Sequence, residues 1–162
     1  AFANKGELAA AGGEREKLAA LRSSPALAKL DAQTVPGTAL TELALLLADG
    51  EIARASGDLP RAILKFQTAA AHERALPYME PPYWHQPVSH VLGAALLEAK
   101  RYKDAEAVYR TSLKTYRRDG WALNGLALAL EGQGKRREAA EVRKQQAEAW
   151  QLADVRLTSS RF

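Results

Sequence analysis

The chain has 162 residues and a formal net charge of +4, from 23 Lys and Arg against 19 Asp and Glu. That length suits one domain or a short array, able to bury enough apolar surface to fold without a metal or a disulfide. The absence of cysteine excludes thiolate metal sites, disulfide frameworks and a cysteine nucleophile.

Hydrophobic residues make up 47% of the chain, mostly alanine and leucine, which favours closely packed helices over strands. The longest apolar runs, 44–48 and 92–97, fall far short of the roughly 20 residues of a membrane span. A soluble chain with no membrane insertion is expected, and the mild basic excess does not demand a nucleic-acid partner. Cytoplasm and periplasm both stay open, because cysteine usage says nothing here. The opening AFANKGELAA lacks an initiator methionine and a basic-then-apolar signal pattern, as in a mature chain or a piece of a longer one.

In chain order, AFANKGELAAA reads as the end of one helix, a turn at Gly6 and a second helix carrying Ala11 and running to about Leu21. Residues 23–37, rich in Ser and Pro and without a sustained period, read as a linker with at most a helical turn. Apolar periodicity then predicts helices near 38–56, 59–75, 86–99, 102–117, 120–133 and 135–153. Asp58 and Asp119 are placed to cap two of them. Between the second and third of these helices lies an insertion at 76–87, whose Pro77, Pro81, Pro82 and Pro87 cannot all sit in regular helix. The tail ADVRLTSSRF leaves the helical pattern.

Three segments share one grammar: an apolar helix, a short turn, an alanine, an amphipathic helix. The turn units are GDLPRA, KRYKDA and GKRREA, and their alanines Ala62, Ala105 and Ala139 stand 43 and 34 residues apart. The first interval is lengthened by the insertion. Small residues at such points, including Gly50, Gly93 and Ala127, let helix backbones approach closely. Leu92, Leu96, Tyr102, Ala105, Tyr109 and Leu113, with Leu126, Leu130 and Ala139, form the predicted buried stripes.

At these residues the chain resembles the tetratricopeptide repeat family, whose period is 34 residues. LGAALLEAKRYKDAEAVYRTSL fits its leucine-glycine, alanine and aromatic positions; GLALALEGQGKRREAAEVR and ADGEIARASGDLPRAILKFQTAA also fit. The stretch from LPYMEPPYWHQP to LTSSRF is similar to bacterial proteins known by these repeats. The resemblance implies an all-α fold, a right-handed solenoid of antiparallel helix hairpins forming a tetratricopeptide-like superhelix over 1–162. Arg118 stands near the usual inter-repeat proline and Arg143 at an aromatic position. Together with Arg137, Glu141 and Lys144, Arg143 is expected to form the solvated outer face of a capping hairpin.

No GxSxG elbow, phosphate-cradling glycine loop or HExxH pair is present, so no catalytic residue, cofactor or metal is expected. The basic clusters at Lys100–Lys103, Lys114–Arg118 and Lys135–Arg137 lie at helix ends among carboxylates and read as solvated surface. The expected function is a non-catalytic scaffold, binding a peptide or partner protein on the hollow face that the resemblance implies, with self-association through terminal repeats as a further route. Candidate partner-binding residues are Glu51, Arg54, Tyr83, Trp84, His85, His90, Glu98, Trp121, Asn124 and Glu131. A second reading makes the Tyr83, Trp84, His85 and His90 neighbourhood a pocket for a small molecule or metal; the bland one makes the insertion a plug between misfitting repeats.

Overall fold

The protein is described from a computed structural model covering residues 1–155 and 157–161; Arg156 and Phe162 of the tail lie outside the described residues. It is all-helical, with α1 (Leu8–Ala20), α2 (Pro25–Ala32), α3 (Gly37–Ala55), α4 (Leu59–Ala75), α5 (Val88–Glu98), α6 (Tyr102–Thr115), α7 (Gly120–Gly132) and α8 (Arg136–Ala149) and no strand among the described residues. The chain divides into two compact units, residues 1–86 and 87–162. No helix among the described residues is long and apolar enough to cross a membrane.

One turn, found also at Thr34 after α2, recurs ahead of four buried alanines. At Gly6, Gly57, Lys100 and Gly134 the backbone takes the left-handed conformation. The next amide reaches back to a carbonyl five residues earlier: Glu7 to Phe2 at 3.1 Å, Asp58 to Ala53 at 2.9 Å, Arg101 to Leu96 at 2.8 Å and Lys135 to Leu130 at 2.9 Å. These bonds satisfy carbonyls that the preceding helical turn leaves unpaired. Five residues after each turn stands an alanine in the first turn of the next helix: Ala11, Ala62, Ala105 and Ala139, all buried. The amide of each donates to a carbonyl at 3.0 Å, those of Glu7, Asp58, Arg101 and Lys135 respectively. Ala62, Ala105 and Ala139 thus share the same turn, first-turn position and burial, and Ala11 in the partial copy at the N-terminus shares them.

In the unit spanning 1–86, α3 and α4 form a hairpin, and α1 and α2 both lie against α3. Leu43, Leu45, Ile63 and Phe66 form its interior. Phe66 lies on Gly50, where an added Cβ would come within 2.4 Å of the ring. Asp49 ties three helices together, its Oδ1 accepting from Arg15 Nε at 2.8 Å and its Oδ2 from Lys65 Nζ at 3.0 Å. Burial pushes this carboxyl up, but the hydrogen bonds and charges of Arg15 and Lys65 outweigh it and hold it below its ordinary value. Asp49→Asn is expected to cost about 1–2 kcal/mol, given partly exposed partners, and to speed amide exchange in α1 more than in α4. Equal exchange in the two helices would contradict that role.

The segment predicted as a linker contains α2. Ser24 caps it, its hydroxyl accepting from the amide of Ala26 at 3.3 Å, and Pro25 opens the first turn. Leu27 and Leu30 then pack over Gly37, whose added Cβ would sit 3.1 Å from the Cβ of Leu30. Two leucines three apart suffice to hold eight residues helical against a neighbour, although they are too few to register as a period.

In the unit spanning 87–162, α5 and α6 form one hairpin and α7 and α8 another, with α7 also against α5 and α6. Leu92, Leu96, Leu126 and Leu130 are buried as the stripes require, with Tyr102 and Leu113 half-buried. Helix α8 stops at Ala149 and not near 153, because Trp150 leaves the helix to lie on Gly120 and to stack edge-on against Trp121, ring centroids 5.6 Å apart. Glu106 links this unit's turns: its Oε2 accepts from Lys135 Nζ at 2.7 Å and from Gln133 Nε2 at 2.7 Å, and its Oε1 from Arg110 Nε at 2.7 Å. The Lys135 bond outweighs the opposing effect of burial and, with those of Arg110 and Gln133, holds the carboxyl at about 2.

Candidate functional site: the face shared by α5 and α7

The two first helices of the second unit carry glycine at the point where they meet α6. A Cβ added at Gly93 of α5 would stand 2.2 Å from Cζ of Tyr109, and one added at Gly125 of α7 would also stand 2.2 Å from it. The Tyr109 ring thus occupies a gap that only glycine on both sides leaves open, and it is fully buried. Burial of its hydroxyl pushes the phenol well above its ordinary value, so it stays protonated and available as a donor.

That hydroxyl meets the C-terminal tail. Tyr109 Oη lies 2.5 Å from Oγ of Ser160, and Ser160 Oγ donates to the carbonyl of His90 at 3.1 Å. A carbonyl can only accept, so the proton of Ser160 goes to His90 and the proton of Tyr109 goes to Ser160. One residue earlier, Nδ2 of Asn124 donates to the carbonyl of Ser159 at 2.9 Å. The non-helical segment around Ser159 and Ser160 therefore runs across α5 and α7, with Ser160 wholly buried.

The amide of Asn124 is oriented from behind. Arg143 Nη1 donates to Asn124 Oδ1 at 2.6 Å, and because guanidinium groups only donate, this bond fixes which end of the amide faces the tail. Arg143 is itself held by Glu131, Nε to Oε1 at 3.0 Å and Nη2 to Oε2 at 3.2 Å. The expectation of a solvated Arg143 is therefore corrected: the guanidinium bridges α8 to two residues of α7. Arg137, Glu141 and Lys144 are exposed, as a capping face requires.

His90, in the first turn of α5, meets Asp119 through Nε2 and Oδ2 at 2.5 Å. Asp119 also caps α7, its Oδ1 accepting from the amides of Trp121 at 2.9 Å and Ala122 at 3.2 Å. Burial pushes the Asp119 carboxyl up, but the bond and charge of His90 with the two amides outweigh it and leave it below its ordinary value. Beside Asn124 an open cleft of 690 Å³ is walled by Arg143, Gln146, Trp150 and Asp154.

Of the candidates read from the sequence, His90, Trp121, Asn124 and Glu131 are thus connected around this face, while Glu98 lies exposed further along α5. Glu51 and Arg54 sit together on α3, Nε to Oε2 at 3.3 Å, and Arg54 Nη2 also donates to Asn4 Oδ1 at 2.6 Å. In the insertion, Tyr83 donates to the carbonyl of Thr34 at 3.3 Å, anchoring the loop to the turn after α2. Trp84 is half-buried, and His85 and Tyr78 are exposed. The insertion's aromatics therefore divide between anchor and surface. Among the described residues no group of three His, Cys, Asp or Glu is placed to hold a metal.

No family model, curated protein or solved structure matches the chain. The site's chemistry therefore rests on its own geometry. Sequence reasoning missed Ser159 and Ser160, for which no periodic signal exists, and Tyr109 as more than core. A tyrosine rather than a phenylalanine at a buried aromatic position is the one clue, since a buried phenol requires a partner.

Proposed function

We propose that the chain is a non-catalytic scaffold of the tetratricopeptide type, its hairpins stacked as a right-handed solenoid, which binds an extended segment of a partner protein on the face of α5 and α7. One observation carries this reading: a non-helical segment of the chain itself already lies there, gripped through the backbone at Ser159 and the side chain at Ser160. Asn124 reads a backbone carbonyl, and such a contact is indifferent to sequence and suited to any extended peptide. The oriented amide adds to this, because a donor fixed in advance loses little entropy on binding. The four equal turns favour a repeat architecture, in which adjoining first helices form a continuous surface.

The test is to present a random-sequence peptide library to the full chain and measure the recovered peptides against Asn124→Ala. Recovered peptides should bind the variant about tenfold more weakly or worse, the loss expected for one buried amide bond, while the far-ultraviolet spectrum is unchanged. Equal affinity of the recovered peptides for both proteins would remove the proposal.

A further inference from the structure

Resting on that reading, we infer that this face contains a slot for a small hydroxyl side chain, and that the tail's Ser160 is its resident occupant, to be displaced by a partner segment carrying serine at the same place. The slot has four parts. Gly93 and Gly125 open the gap through which the Tyr109 hydroxyl arrives. The carbonyl of His90 accepts the incoming hydroxyl proton at 3.1 Å, and Asn124 holds the preceding residue's carbonyl at 2.9 Å.

The chemistry of the slot selects its ligand twice. The occupant must accept from Tyr109 and donate to His90 with one atom, which a hydroxyl does and a methyl or carboxylate does not. It must also be small, because Ser160 is entirely enclosed. A side chain lacking the hydroxyl leaves a buried phenol donor without its acceptor, which weakens binding by roughly 10- to 100-fold. The carbonyl of His90 belongs to the first turn of α5, whose Val88–Glu98 span begins two residues earlier, and the His90 side chain is pinned to Asp119. The acceptor is therefore fixed before any ligand arrives.

The tail reaches the slot from the end of α8, so it competes with an external segment at a high effective concentration. A partner must carry further contacts to displace it, and the open cleft beside Asn124, with Arg143, Gln146 and Trp150 on its wall, lies next to the seat. Polar and aromatic flanking residues suit that lining.

The experiment uses the full chain and its Ser160→Leu variant, whose larger side chain the closed slot cannot take. The probe is a fluorescein-labelled peptide of sequence LTSSRF, with a control carrying valine in place of its second serine. Ser160→Leu should bind LTSSRF at least tenfold more tightly than the parent chain does, and the valine peptide at least tenfold more weakly than LTSSRF. Equal binding of LTSSRF by parent and variant overturns the resident tail. Equal binding of the two peptides overturns the hydroxyl slot yet leaves a peptide scaffold standing, whereas equal affinity of the recovered library peptides for the parent chain and Asn124→Ala removes the scaffold as well. A concentration-dependent dimer of the parent chain, abolished by Ser160→Leu, would make a second copy the ligand and overturn an external partner. Should Ser160→Leu fail to fold, Ser160→Gly removes the hydroxyl without bulk, and the same two comparisons decide.

Discussion

Gly93→Ala and Gly125→Ala should each destabilise the protein by about 3 kcal/mol, at the upper end of overpacking effects, lowering the melting temperature by roughly 10 °C. The reason is the Tyr109 ring, which is fully buried between α6 and the two glycines and cannot swing aside. An added methyl carbon would fall 2.2 Å from Cζ in either case, well inside contact distance. The substitutions themselves favour helix by about 1 kcal/mol each, so a net loss understates the clash by about that amount. Tyr109→Leu in the Gly93→Ala background should recover part of the loss by vacating that space, whereas the two changes would simply add if the glycine mattered only through backbone freedom. Thermal melts of the two single variants and the double variant decide the matter.

The second large effect is expected at Asp119. Asp119→Ala removes the cap of α7 and strips the buried His90 of its partner, for a combined cost of about 3 kcal/mol. Asp119→Asn keeps an oxygen for the amides of Trp121 and Ala122 but loses the charge, and should cost about half as much. The pH dependence has a definite sign. Because the folded carboxyl is held below its unfolded value of 3.8, its contribution is complete above that value and is lost as the pH falls through the lower folded one. The parent chain should therefore lose stability more steeply than Asp119→Asn as the pH falls from about 4 downward through the lower folded value. Glu106 and Asp49 contribute to the acid limb of both proteins alike, so the difference between the two curves isolates Asp119. Parallel curves would mean that the charge of Asp119 contributes nothing to folding.

Both effects converge on the proposed slot. Gly93 and Gly125 set the position of the phenol, and the His90–Asp119 pair sets the position of the carbonyl that completes it. Variants at either place should weaken serine-containing peptides in step with their loss of stability.

Much of this was legible in the residues. Alanines five positions after each turn, at Ala62, Ala105 and Ala139, announced hairpins of one kind because close helix crossing tolerates only small side chains, a constraint that operates locally. Asp58 and Asp119 could be read as caps because a cap depends on residues two or three positions away. Helix α2 was not legible, since Leu27 and Leu30 acquire their purpose only against Gly37. Arg143 looked like surface because charge in an aromatic position has no meaning until Glu131 and Asn124 are beside it.

Repeat spacing, turns and caps were therefore determined by the sequence alone, all of them being interactions between near neighbours along the chain. Tertiary structure alone decided that Ser160 lies on the carbonyl of His90, 70 positions away, and that Asn124 turns its amide nitrogen toward the tail. A hydrogen bond between distant residues leaves no periodic trace in composition or spacing, because its strength depends on the fold bringing one donor and one acceptor together in a place that water does not reach.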